Sequence, residues 1–255
     1  MAADLTFQPA RDRGWVSGLG TLLRKETSAF WGTRTCWVQL GAWTLLIQGL
    51  LLNSVAQAHH GPPGTEFVSV GMGTFGALGM IVITHNAIVG EKQSGTAAWI
   101  MSKPVSRTAF ILAKFLAALT GPLTVVVAVE GTVAYAVLAA TGHAPAVLTY
   151  LRALAAVAIY LLFFAALSLC LGTLFTSRGP VLAIPLLAVL AGQLLHLNLA
   201  GIGAALLPAG HSAVSVSASS GGPAATAALA VSAIYGVLTV TLLMSAIVRF
   251  TREEF

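Results

Sequence analysis

The chain has 255 residues, of which 57% are hydrophobic and only 8% charged, and it carries a formal net charge of +5. With a mean hydropathy of +0.88 it reads as a polytopic, all-α helical membrane protein. The apolar runs are too long and too continuous for the alternating strands of a membrane barrel, and the positive charge matches an anionic membrane face rather than a nucleic-acid footprint.

Residues 1–35 form a basic N-terminal segment whose charged stretch is too long for a signal peptide. Ala56-Gln57-Ala58 imitates a cleavage site, but cleavage there would discard a spanning helix. Within residues 15–31, Trp15, Leu19, Leu22, Leu23 and Phe30 share one helical face, flanked by Arg24, Lys25 and Glu26. That pattern predicts an amphipathic interfacial elbow helix, against the alternative of a disordered basic tail.

Residues 36–255 then carry the transmembrane domain. Stretches 35–65, 67–90, 153–177 and 179–248 contain no Asp, Glu, Lys or Arg. At about 20 apolar residues per crossing, six spans are expected, at roughly 36–57, 67–90, 110–139, 147–175, 181–199 and 225–248. Basic residues precede the first span, crowd the connection between the second and third, and recur at Arg178, Arg249 and Arg252, whereas Arg152 falls on the opposite side. The bias toward one side predicts cytoplasmic N- and C-termini, and with them a cytoplasmic second-to-third connection.

That connection is the most specific stretch of the chain. Between Glu91 and Lys114 the sequence reads EKQSGTAAWIMSKPVSRTAFILAK. Gly95-Thr96 breaks one helix and opens another, with Thr96 as the expected side-chain cap. Pro104 forces Lys103 out of helical geometry, and Ser106 caps the next helix. A short helix, a kink and a return into the membrane are expected over residues 91–109.

This order of residues resembles the permease subunits of ABC transporters of the exporter class often called type 2. The resemblance rests on Glu91-Lys92, Gly95-Thr96, Ser102-Lys103-Pro104-Val105-Ser106-Arg107 and Lys114. It covers about two dozen residues, and beyond them it is one of topology. It implies a coupling loop, made by Glu91, Lys92, Gly95, Thr96, Trp99, Ser102, Pro104, Ser106, Arg107 and Lys114, that docks on a separate ATPase. It further implies two ATPase copies holding ATP and Mg, a second permease copy, identical or paralogous, and a multi-pass location in the cell (cytoplasmic or inner) membrane. On this reading the chain is no enzyme and carries no cofactor. Trp99, Ile100 and Met101 are the expected apolar contacts with the ATPase, although Trp99 equally suits the headgroup layer.

Two intramembrane charges add a candidate path or gate. Glu130 lies about 24 Å along a helix from Lys114 at 1.5 Å per residue, and Arg152 enters from the other side. An isolated charge in a bilayer is costly, so the two are expected to meet or to face a polar cavity. Gln193 and His196, with Asn198, add polarity to the fifth span. Residues 199–208 suit either a re-entrant segment or a longer fifth helix.

Other patterns are discounted. Gly71-Met72-Gly73-Thr74-Phe75-Gly76 spells a dinucleotide fingerprint inside an apolar run and, with Gly79, reads as close helix packing. No glycine is followed by lysine, so no phosphate-binding loop is present. Cys36 and Cys170 are isolated and read as structural. His59, His60, His143 and His211 fall in expected outer loops, and no metal site is assigned to them. The alternative to an ABC permease is an ATPase-independent secondary transporter or channel that uses Glu130 for proton coupling.

Overall fold

The computed structural model describes residues 14–56, 64–196 and 223–253. These residues form helices α1 (Leu19–Trp31), α2 (Arg34–Ala56), α3 (Gly64–Thr84), α4 (Val89–Gln93), α5 (Thr96–Met101) and α6 (Arg107–Ala118). A π-helical segment (Leu119–Val129) then leads into α7 (Glu130–Ala140), α8 (Val147–Leu174), α9 (Arg178–His196) and α10 (Pro223–Thr251). Five described stretches are long and apolar enough to cross a membrane: Cys36–Ala56, Gly71–Gln93, Arg107–Ala140, Val147–Leu174 and Leu229–Thr251. The expected fifth span falls on α9, whose apolar part, Arg178–Gly192, is shorter. The expected re-entrant segment at 199–208 lies outside the described residues.

Two spans depart from the regular helices that hydropathy predicts. The second ends at Thr84 and turns before resuming as α4. Thr84 Oγ1 bonds back to the Met80 carbonyl at 2.6 Å, and His85 Nδ1 lies 2.7 Å from the Val82 carbonyl. The Val82 carbonyl lies in the last turn, which the broken helix leaves open, whereas Thr84 back-bonds to a carbonyl within its own helix. In the third span, Pro122 has no N–H and would clash within an α-turn. The helix widens into π geometry around it instead. Thr124 Oγ1 bonds the Leu119 carbonyl, five residues back, at 3.2 Å.

The core is built around α8, with Tyr160, Leu161, Phe164 and Ala165 fully buried against Met72, Met80 and Ile81 of α3. Gly76 and Gly79 let the neighbours close in, as the sequence predicts. A Cβ on Gly79 would stand 2.0 Å from Trp43 Cζ2 of α2, and one on Gly76 3.0 Å from Val126 Cγ1. A second apolar cluster lies at the α4–α6 end, where Phe110 and Phe250 stack at 4.9 Å with an interplanar angle of 5°. By contrast, α2 and α10 turn large side chains outward, including Trp37, Leu45, Leu229 and Val237.

Overpacking at such a contact costs about 1–3 kcal/mol. Gly79→Val is therefore expected to lower the melting temperature of the detergent-solubilised protein. Gly49→Ala should not lower it, because nothing lies within 4 Å of a Cβ there and alanine is favoured over glycine within a helix.

Candidate functional site

The loop between α3 and α6 folds as its punctuation dictates, with one correction. Gly95 itself is the N-cap of α5, in the left-handed region at φ 72°. Thr96 does not cap the helix; its Oγ1 instead pairs with Ser94 Oγ at 2.8 Å. Left-handed geometry suits glycine, so the backbone performs the break that was expected of the threonine. Helix α5 ends at Met101, ahead of Pro104. Ser106 caps α6 as expected, accepting from the Ala109 N–H at 2.9 Å.

Glu91 of the loop points inward and joins a ring with Lys25, Glu26 and Lys114. Lys25 Nζ lies 2.8 Å from Glu91 Oε1 and 3.7 Å from Glu26 Oε1. Lys114 Nζ lies 3.1 Å from Glu26 Oε1 and 3.2 Å from Glu91 Oε1. Two cations and two carboxylates thus neutralise one another across α1, α4 and α6. The Lys114 side chain is only 3% exposed and also lies over the Phe110 ring at 4.9 Å. Burial opposes the charge on Lys25, but the bonds to Glu91 and Glu26 outweigh it and raise its pKa above the ordinary 10.5. Stability from this pairing is therefore present below pH 10.5 and lost as pH rises through the raised value.

Segment 14–18 adds a backbone clasp. Ser106 N–H donates to the Ser17 carbonyl at 3.0 Å, and Ser17 Oγ to the Pro104 carbonyl at 2.8 Å. Ser106 Oγ also donates to the Trp15 carbonyl. Gly18, at φ 77°, packs on Val105, whose Cγ2 would be 2.8 Å from an added Cβ. The expected helix at 15–31 therefore starts only at Leu19. Trp15 precedes it and is exposed, while Leu22 is buried and Leu19 and Leu23 pack beside it.

A second set of contacts ties the loop to α8, α9 and the C-terminal residues. Lys92, adjacent to Glu91, points the other way, with its Nζ 2.7 Å from Glu253 Oε1 and 3.0 Å from the Thr173 carbonyl. Arg107 Nη1 donates to the carbonyls of Thr251 at 2.8 Å and Glu253 at 2.6 Å. Gln93 reaches the Thr176 carbonyl and accepts from Arg178 Nε at 3.0 Å. Glu91 and Arg107 thus spend their charge inside the chain. Ile100, an expected partner contact, is buried as well. What faces outward is Trp99, 65% exposed, with Lys103 Nζ 5.0 Å above its ring, and the exposed Gly95, Ser102 and Pro104.

A family model described as ABC-2 family transporter protein matches residues 39–191, more than half of the chain. The chain belongs to this family. It is a membrane permease component of an ABC transporter, a transport subunit rather than an enzyme, from a family whose permeases generally partner with an ATPase subunit. It is accordingly a multi-pass membrane protein. No curated protein matches the chain. The family match includes the whole α4–α5 loop and the π-helical segment, but begins after α1 and ends before α10.

The intramembrane candidates separate. Glu130 is fully buried at the junction of the π-helical segment and α7. Its carboxylate accepts from Thr44 Oγ1 and, at 2.9 Å, from Gln48 Nε2, which also bonds the Glu130 carbonyl at 3.1 Å. Arg152 stands exposed near the start of α8, so the expected Glu130–Arg152 encounter does not form. Two neutral donors one turn apart on α2 satisfy the carboxylate instead. Thr44 and Gln48 were missed from sequence, although their spacing of four in an apolar span is the signal. Gln193 and His196 sit at the end of α9, among residues whose side chains lie outside the described part. His59, His60 and His211 are outside it too, and His143 is exposed. Among the described residues no cluster suited to a metal ion occurs. Cys36 and Cys170 are buried free thiols.

Removing one member of a buried ion pair costs about 3–5 kcal/mol, because its partner is left charged and unpaired. Lys114→Met is expected to destabilise the protein on that scale. Adding Glu91→Gln should recover part of the loss, which a double-mutant thermal-unfolding cycle measures directly.

Proposed function

We propose that the chain is the permease subunit of an ATP-driven exporter and works as a dimer whose interface forms the substrate path. Two separately encoded ATPase subunits bind ATP and Mg. In this reading α9 supplies the fifth of six spans, α1 is the interfacial elbow, and both termini and the α4–α5 loop are cytoplasmic in the cell membrane. The second permease copy is identical or paralogous. Export direction and membrane rest on the resemblance alone, and the orientation of the termini rests on the distribution of basic residues.

One observation carries this reading: α5, an uncharged short helix, presents Trp99 outward, while Glu91 and Lys114 on the flanking α4 and α6 are already neutralised within the chain. A protruding aromatic on a fixed helix suits an apolar groove on a partner. ATP binding closes the ATPase pair and displaces α5. The ion-pair ring passes that displacement to α1 and α6 together. From there it reaches the π-helical segment, where Trp31 Nε1 holds the Thr120 carbonyl at 3.0 Å and Phe30 packs on Gly121. Glu130 and its clasp on α2 lie at the far end of that segment, where a change of access would begin.

A second reading, proton-coupled transport without an ATPase, is favoured only by the burial of Glu130 against neutral donors. Both readings are decided by purifying the tagged protein from membranes, with mass spectrometry and an ATPase assay of what accompanies it. The account predicts a stoichiometric ATPase. Trp99→Ala should weaken its association by about tenfold or more, as truncating an aromatic anchor does, without loss of helix content. Glu130→Gln should leave ATP-driven transport in place. A stable particle without an ATPase, and flux abolished by Glu130→Gln, would support the proton-coupled reading.

A further inference from the structure

A groove of about 630 Å³ runs along the outer side of α8 and α10 at the end of the molecule that holds the α4–α5 loop. Its wall on α10 consists of two adjacent rows, Val240-Met244-Val248-Arg252 and Thr241-Ser245-Arg249, each advancing by four residues along one face. Leu174 of α8 supplies part of the opposite wall. From Val240 to Arg252 the rows extend about 18 Å at 1.5 Å per residue. That is close to one leaflet of a hydrocarbon core of about 30 Å.

The chemistry changes along this length. Thr241 Oγ1 donates to the Val237 carbonyl and Ser245 Oγ to the Thr241 carbonyl, both at 2.8 Å. With its hydroxyls satisfied inside the helix, the upper wall is in effect apolar. The lower end carries two exposed guanidinium groups. Among the described residues neither has an acidic partner, since the adjacent Glu253 is taken by Lys92 at 2.7 Å. The contacts of Arg107 with the Thr251 and Glu253 carbonyls place this end level with the loop.

We propose that the groove binds one anionic phospholipid of the loop-side leaflet, its phosphate held between Arg249 and Arg252 and an acyl chain laid along Leu174, Met244 and Val248. Guanidinium forks match phosphate oxygens, and the apolar wall has the length of the chain that would follow. A zwitterionic lipid offers the same phosphate together with a cation that the two arginines repel, so anionic lipid is preferred. The inference needs only a chain that spans a membrane and is independent of the ATPase coupling.

Native mass spectrometry of the purified full chain tests it, titrating phosphatidylglycerol against phosphatidylcholine of the same acyl composition. The wild type should retain phosphatidylglycerol preferentially. In Arg249→Gln/Arg252→Gln that preference should fall by roughly thirtyfold, at about 1 kcal/mol for each basic residue near an anionic surface. Met244→Trp, which fills the groove with both arginines in place, should displace the lipid as well. Arg24→Gln, an exposed charge on α1, should change nothing. An unaltered preference in the double variant would overturn the proposal, as would lipid retained by Met244→Trp. A double variant that shifts the monomer–dimer ratio while lipid binding stays intact would overturn it too, assigning the surface to a second copy.

Discussion

Lys114 is the constraint on which the cytoplasmic-facing architecture proposed here depends. An ammonium group with 3% of its side chain exposed needs compensating charge, because desolvating an ion costs several kcal/mol. Glu26 and Glu91 supply it from two different helices, and Lys25 offsets the second negative charge. The four residues fix three elements to one another in a single arrangement: α1, α4 and α6. Without the ring, α4 and α5 would still be tied to α8, α9 and the C-terminal residues through Lys92, Gln93 and Arg107, but would lose their charged link to α1 and α6. With it they become a projection of the helix bundle, and a force on Trp99 has a stiff route inward.

Helix α1 gives that route its length. One end is stitched to Pro104–Ser106 through Ser17 and Gly18, the middle holds Glu26 and Lys25, and the far end meets the π-helical segment through Phe30 and Trp31. A cavity of about 360 Å³ lies alongside, lined by Glu26, Thr33, Gln39, Thr84, Lys114 and Pro122. The strut therefore runs beside space rather than dense core. Widened π turns recur at functional positions, and here one separates the loop-anchored α6 from Glu130 within a single span. The Glu130 clasp joins that span to α2, whose outer face is free to meet lipid or a second copy.

Five of the six expected spans were legible because each crossing needs a run of apolar residues that composition cannot hide. Within the loop, Gly95, Pro104 and Ser106 each impose a backbone event regardless of what surrounds them. Charge pairing was less legible. Glu91 and Lys92 are neighbours in sequence, yet they serve opposite sides of the molecule, one bonding Lys25 sixty-six positions away and the other Glu253 near the C-terminus. Such choices are made by packing, which a local reading does not contain. The Glu130–Arg152 expectation failed for a related reason. Compensation was expected from the opposite charge or from a polar cavity, whereas two neutral hydrogen-bond donors on an adjacent helix supply it. Pro122 was not read as a disturbance, because it lies within a continuous apolar run, yet the third span widens into a π segment around it.

If the ring makes the loop rigid with α1, the distance between them must not change when the transporter cycles. Spin labels at Ala98→Cys on α5 and Ser28→Cys on α1, both exposed positions, with Cys36 and Cys170 replaced by alanine, report that distance by pulsed electron resonance. The measurement is made on the purified chain and again with its ATPase, with and without ATP. The account predicts one narrow distribution, the same in every state. A distribution that broadens or shifts by several ångströms on ATP binding would show the loop hinging independently of α1, and would contradict the rigid coupling described above.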